Sequence, residues 1–227
     1  MSKTVLIVGA SRGLGLGLAK QFSADGWQVI ATVRDPSRAD ALKAIDGVRV
    51  EALDMADRAS VDALAQQLSG TLLDVLYINA GVSGSRQLSA DNASDQDVSE
   101  LFVTNAVSPV RLAKRMLSLV KPDTGVITFM SSAMGSVEVG PGTGMPLYGA
   151  SKAALNHLTR TFVGELGEGS ALTVLSMHPG WVKTDMGGEE APLDIETSTR
   201  GMVEQVTQAL GRGGHQYLDY KGDPIPW

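Results

Sequence analysis

The chain has no cysteine. That removes disulfides, thiolate nucleophiles and cysteine-held metals, and leaves the redox compartment open. Histidine is nearly as scarce: His157, His178 and His215 are the three residues present, and their spacing matches no metal site, so no bound metal is expected. Basic charge is short as well, with 19 Lys and Arg against 25 Asp and Glu and a formal net charge of −6. Gripping nucleic acid by its phosphates wants a basic face, so no nucleic-acid partner is expected. No apolar run approaches the roughly 20 residues that span a bilayer. The first run, Val5-Leu6-Ile7-Val8, ends at a glycine and is too short for a secretory signal core. No membrane association is expected, and the cytoplasm is the expected location. Repeats, low-complexity tracts and a linker between two cores are also absent from the sequence.

What is present is a regular alternation of apolar strands with amphipathic helical stretches over 227 residues, of which 43% are hydrophobic. Strands are expected at 4–9, 27–33, 48–53, 72–78, 125–131, 171–177 and 215–218. Helices are expected after 13, over 37–45, 58–68 and 95–119 (kinked by Pro109), after Tyr148, and over 198–210. This pattern predicts an α/β fold: one domain over 1–227, a Rossmann-type doubly wound parallel sheet of about seven strands, with helices on both faces and right-handed crossovers. A short lid is expected over about 187–200, where 187–198 is rich in Gly, Glu and Pro.

The first strand runs into Gly9-Ala10-Ser11-Arg12-Gly13-Leu14-Gly15 and then a helix. Glycine lets backbone approach a pyrophosphate, and a helix N-terminus attracts the anion, so this loop is expected to hold a nucleotide. In a dinucleotide fold the end of the second strand faces the adenosine ribose. Arg34 stands there, with Arg12 able to reach the same place, and arginine suits the 2′-phosphate of NADP. Asp35 follows directly, and a register shift of one residue would favour NAD. Asp54-Met55 closes the third strand, where an adenine edge could be held; Asp54 could instead cap the next helix. Asn79-Ala80-Gly81 ends the fourth strand with small residues, a mark of the ligand crevice.

Tyr148 and Lys152 are four apart at the start of a helical pattern, so they share a face. A free phenol ionises near ~10, and a nearby ammonium would lower that value, making Tyr148 a plausible proton exchanger. Tyr-x-x-x-Lys alone is more often a solvated helix face, and it gains weight here from the glycine loop. Ser131 and Ser132 end the preceding strand, where alternation sends their side chains to opposite sides. Asn105, in an apolar stretch, is a buried polar group that must be hydrogen-bonded.

Assembled in this order, the residues resemble the short-chain dehydrogenase/reductase family over essentially the whole chain. The matching elements are Gly9-x-x-x-Gly13-x-Gly15, Asn79-Ala80-Gly81, Asn105, Ser132 with Tyr148 and Lys152, and Pro179-Gly180 after the sixth strand. Pro179-Gly180-Trp181-Val182-Lys183-Thr184-Asp185-Met186 and the ending with Asp219, Gly222 and Trp227 resemble the C-factor and sniffer-type carbonyl reductase branch. One departure is the spacing between Ser132 and Tyr148, longer than the family's usual interval, with Gly140-Pro141-Gly142-Thr143-Gly144 between them; this loop is expected to reshape a wall of the substrate pocket.

The resemblance implies a catalytic set of Ser132, Tyr148, Lys152 and Asn105. It implies that Ser132 orients the carbonyl oxygen, Tyr148 delivers the proton, Lys152 binds the nicotinamide ribose, and Asn105 holds a water connecting Lys152 to solvent. It further implies cofactor contacts from Gly9, Ser11, Arg12, Gly13, Leu14, Gly15, Arg34, Asp54, Met55, Asn79, Ala80 and Gly81. Tyr148, Lys152, Pro179, Gly180, Val182 and Thr184 complete them, Thr184 at the carboxamide or pyrophosphate. The expected activity is NADP(H)-dependent oxidoreduction of a small carbonyl or alcohol, with NAD possible, in a homo-oligomer (dimer or tetramer). The alternatives are a dinucleotide-binding regulatory protein with little turnover and, less well matched, a sugar-nucleotide epimerase or dehydratase, for which the C-terminal part leaves no room.

Overall fold

Seven strands pair in parallel in the order β3-β2-β1-β4-β5-β6-β7 in the computed structural model, which describes residues 2–139 and 144–227. They are β1 (Thr4–Val8), β2 (Gln28–Val33), β3 (Val48–Ala52), β4 (Val75–Ile78), β5 (Val126–Met130), β6 (Thr173–His178) and β7 (Gly214–Asp219). Helices α1 (Gly13–Ala24), α2 (Asp40–Lys43), α3 (Arg58–Gln67), α4 (Asp95–Phe102), α5 (Ser108–Met116), α6 (Pro146–Glu165) and α7 (Ile195–Ala209) connect them. The two-residue period of a strand divides the core. Leu6 and Val8 pack with Leu64, Leu112, Met116 and Phe162 of α3, α5 and α6. Val5 and Ile7 point the other way, to Leu18 and Phe22 of α1 and Met202 and Val206 of α7. Both faces being covered, β1, β4 and β5 read as near-continuous apolar runs. Among the described residues no helix is long and apolar enough to cross a membrane.

Four expected elements differ in detail. β4 starts at Val75; Leu72 is exposed, and Asp74 instead accepts a 2.8 Å hydrogen bond from the Thr4 amide and pairs with Lys121. The stretch expected as a helix over 37–45 is a 3₁₀ turn (Pro36–Arg38) followed by α2. The long helix over 95–119 is interrupted by a π-helical turn, Val103–Val107, rather than by a kink at Pro109 itself. Pro109 has no N–H and its ring would crowd the carbonyl of Asn105, four residues back; the widened turn accommodates both. Finally, α7 begins at Ile195, where Asp194 caps it by accepting from the Thr197 amide at 2.7 Å. The end of the expected 187–200 lid is therefore helix, and its middle is tied down where the Lys183 amide donates to the Leu193 carbonyl at 2.8 Å. Of the expected pocket-wall loop, Gly140-Pro141-Gly142-Thr143 lies outside the described residues.

Beyond β7 the chain turns back antiparallel on the strand's outer side. Ile225 N donates to Tyr217 O at 2.8 Å and Asp219 N to Asp223 O at 3.0 Å. At the other end of the sheet's logic, β1 and β4 are neighbours: the chain builds outward from β1 to β3, then restarts at β4 on the other side. The carboxyl ends of β1 and β4 flank the switch point, where open α/β sheets place ligands.

Candidate active site

A cleft opens at that switch point, and the glycine loop forms its floor. Gly9 has a positive φ of 84°, and a Cβ there would stand 2.7 Å from the Ala80 Cβ. The loop is fixed from two sides: Gly9 N donates to Thr32 Oγ1 at 3.1 Å, and Asn79 Nδ2 donates to Gly9 O at 2.7 Å. Gly13 opens α1, whose first turn has no side-chain cap and no acidic residue. Its free amides and positive dipole end suit an anion. Gly9, Ser11, Arg12, Gly13 and Leu14 line the cleft. Gly15 lies behind it, where a Cβ would collide with the Gly9 carbonyl; it brings helix and strand close.

Arg34, Asp54 and Met55 line the far end. Arg34 is exposed, and makes no ion pair among the described residues. Asp35 caps the following 3₁₀ turn: its carboxylate accepts from Ser37 N at 3.0 Å and Ser37 Oγ at 2.6 Å, and these bonds hold its pKa below the ordinary value. Asp54 does not cap α3; Asp57 does, while Asp54 accepts from the Ala56 amide. Arg12 is paired across the cleft mouth with Asp185, both side chains largely exposed, so it does not converge on Arg34. Asn79, Ala80, Gly81, Pro179 and Thr184 also face the cleft. Pro179 is held by Ser198 of α7, whose Oγ donates to its carbonyl at 2.6 Å. Gly180 packs on Leu193 and Tyr220, and Val182 is buried against the lid, both behind the wall.

α6 starts after Met145, whose left-handed backbone (φ 53°) swings the chain into Pro146 at the first turn. Tyr148 and Lys152 then fall one turn apart, both on the cleft. Two glycines set how closely this helix approaches the serine segment: a Cβ on Gly135 would lie 2.9 Å from the Lys152 carbonyl carbon, and one on Gly149 3.0 Å from Met134 O. Gly135→Ala is expected to overpack this contact, costing about 1–3 kcal/mol and roughly 2–4 °C of Tm per kcal/mol. Calorimetry checks it; an unchanged Tm counts against the close contact.

The Lys152 ammonium is buried, donates to Met130 O at 2.8 Å, and sits 5.7 Å from the Tyr148 ring centre. Burial brings its pKa down to about 8. Burial also raises Tyr148 to about 12; the adjacent Ser132 side chain pulls it back down, and Tyr217 pushes it up. The expected lowering of Tyr148 by Lys152 is not found; burial, which strips water from both groups, sets the direction of each. Ser131 lines the cleft while its Oγ donates to Asn156 Oδ1 at 2.7 Å, and the Ser132 side chain lies beside the tyrosine. Neither His178 nor His215 competes as a proton carrier at neutral pH, since burial takes both down to about 4.

Asn105, at the centre of the π turn, is fully buried. Its Oδ1 accepts from Val82 N at 2.9 Å, and its Nδ2 donates to Val82 O at 2.8 Å and Ser151 Oγ at 3.0 Å. Both donors are used and one lone pair remains. Ser151 in turn donates to the Tyr148 carbonyl at 2.7 Å. Asn105 therefore splices the segment after β4 to the first turn of α6. Sequence reasoning missed Ser151, Asn156 and Tyr217, each a buried polar residue whose partner is distant in the chain. It also missed the lining residues Lys183, Asp185 and Met186, for which adjacency to Thr184 was the available signal.

Comparison with known proteins places these features in context. The family described as short chain dehydrogenase matches residues 3–193. The protein C-signal of Myxococcus xanthus is 36% identical over 156 residues, 68% of this chain and 93% of that relative. A crystal structure of a carbonyl reductase from Pseudomonas aeruginosa PAO1 in complex with NADP is 40% identical, with a TM-score of 0.93 and coverage of 100% of each chain. The carbonyl reductase Sniffer of D. melanogaster is 30% identical, with a TM-score of 0.91 and coverage of 100% of each.

Proposed function

This chain belongs to the short-chain dehydrogenase family, and from that premise we propose that it is an NADP(H)-dependent oxidoreductase acting on a small carbonyl or alcohol through Ser132, Tyr148, Lys152 and Asn105. The observation that carries the reading is convergence. Tyr148 and Lys152 of α6 face the cleft beside the glycine loop at the sheet's switch point, and the Ser132 side chain, just past β5, lies beside Tyr148. The cradle suits a dinucleotide: Gly9, Ser11, Arg12, Gly13 and Leu14 line the cleft, and the first amides of α1 have no side-chain cap. When bound, the cofactor supplies or accepts the hydride. Ser132 donates to the substrate oxygen and orients it. Tyr148, protonated at neutral pH, gives that oxygen its proton in reduction and takes one in oxidation. Lys152, titrating far below an exposed lysine, holds the ribose and returns the proton. Asn105 keeps one lone pair for a water on that route.

NADP(H) is favoured by the contrast between neighbours: Arg34 makes no ion pair among the described residues, while the Asp35 carboxylate is taken up by Ser37. The carbonyl reductase from P. aeruginosa was crystallised with NADP, in line with this choice. The test is a panel of aldehydes, ketones and quinones with NADPH, followed at the nicotinamide absorbance; a folded protein that oxidises neither NADPH nor NADH on any of them overturns the proposal. Arg34→Asp is expected to weaken NADPH binding by roughly 10–100-fold, the worth of a charge-assisted phosphate contact, and to spare NADH. Titration calorimetry measures it. Wild-type protein using NADH at least as efficiently would instead make Asp35 the ribose ligand.

A further inference from the structure

We propose that Tyr217, on β7, is a positioning residue that aims the Ser132 hydroxyl at the reacting oxygen. The inference rests on Ser132 being catalytic, as proposed above. The Tyr217 side chain is 3% exposed, and its hydroxyl donates to the carbonyl oxygen of Ser132. That carbonyl already accepts from the Gly135 amide at 2.8 Å, so the phenol is not needed to satisfy it. What the second bond adds is direction. Ser132 stands in extended backbone between the end of β5 and the 3₁₀ turn Ala133–Gly135, and fixing its carbonyl fixes the rotation that decides where its side chain points.

The neighbouring residues form a frame around the same point. Asn156, one turn beyond Lys152 on α6, takes the Ser131 hydroxyl at 2.7 Å and donates to Gly135 O at 3.3 Å. The serine segment is therefore fixed before, at and after Ser132, by α6 and β7 together. Tyr217 is itself held. The Trp227 ring lies against it with centroids 5.1 Å apart, and the Arg160 guanidinium of α6 lies 5.1 Å from the Trp227 ring centre. Its backbone carbonyl takes the Ile225 amide at 2.8 Å. Misplacing a reacting group by about 1 Å can cost of order 10²-fold in rate, so a device that fixes one rotation has a measurable effect.

The experiment is a double-mutant cycle on kcat with NADPH and a substrate found in the panel. Tyr217→Phe keeps the ring and its packing and is expected to lower kcat roughly tenfold with cofactor Kd unchanged. In a Ser132→Ala background the same change is expected to have no further effect. Asn156→Ala, which releases the segment from the α6 side, is expected to show the same non-additivity. Tyr77→Phe serves as control: it removes another fully buried phenol, one that meets Met202 sulfur, and leaves kcat unchanged. The proposal is overturned if Tyr217→Phe has wild-type kcat, or if it costs the same factor with and without Ser132. If Ser132→Ala itself keeps wild-type kcat, the catalytic reading of Ser132 fails first, and the two failures are told apart.

Discussion

Tyr148→Phe is expected to lower turnover by about 10³-fold, within the range lost when a general acid/base is removed, while leaving the fold and cofactor binding nearly intact. The ring keeps its place on α6, and only the hydroxyl beside Ser132 is lost. The pH dependence follows from the raised pKa, about 12. A phenol lifted by burial stays protonated across the working range, so carbonyl reduction should not be limited by proton supply near neutral pH. Alcohol oxidation needs the phenolate, whose population grows as pH rises, so oxidation should be faster at about pH 9 than at about pH 7. Steady-state kinetics in both directions checks this. Near wild-type turnover by Tyr148→Phe would mean that Tyr148 is not the proton donor.

Lys152→Ala is expected to damage two quantities at once. Turnover should fall by about 10²-fold or more with the loss of the proton-handling group. Cofactor affinity should fall roughly tenfold with the loss of a charged donor to the ribose. Stability should behave differently. The Lys152 ammonium is buried, donates to Met130 O and has no ion-pair partner among the described residues, so the fold bears the cost of a buried charge at neutral pH. Lys152→Met keeps the volume and removes the charge, and its Tm is expected to equal or exceed that of the wild type while activity is lost. A Lys152→Met protein that melts well below wild type would show that the ammonium is structural.

The strands were legible because a parallel sheet covered on both faces leaves apolar runs such as Val5–Val8 and Val126–Met130. The glycine loop was legible from its position after such a run, and Tyr148 with Lys152 from helical spacing. Asn105 was recognisable as a polar residue that must find partners, but not the π turn that carries it, which depends on Pro109 crowding a carbonyl one turn back. The balance between Arg34 and Asp35 lay two residues further on, in Ser37, as a cap that propensity does not resolve. Tyr217 meets Ser132 across 85 positions of sequence, and no local pattern marks such a contact. The phenol's raised pKa was missed for a related reason: spacing places charges, whereas burial belongs to the finished fold.

An open sheet has two rims, and each is a template on which a stray strand can crystallise into further sheet. The β3 rim is five residues long and carries the charged pair Arg49 and Glu51, a repellent for an apolar newcomer. On the β7 rim the returning tail occupies backbone groups of Tyr217 and Asp219. A second molecule adding there would first have to peel that tail away and part Trp227 from His215 and Tyr217. The chain thus carries its own plug against runaway strand addition on that side.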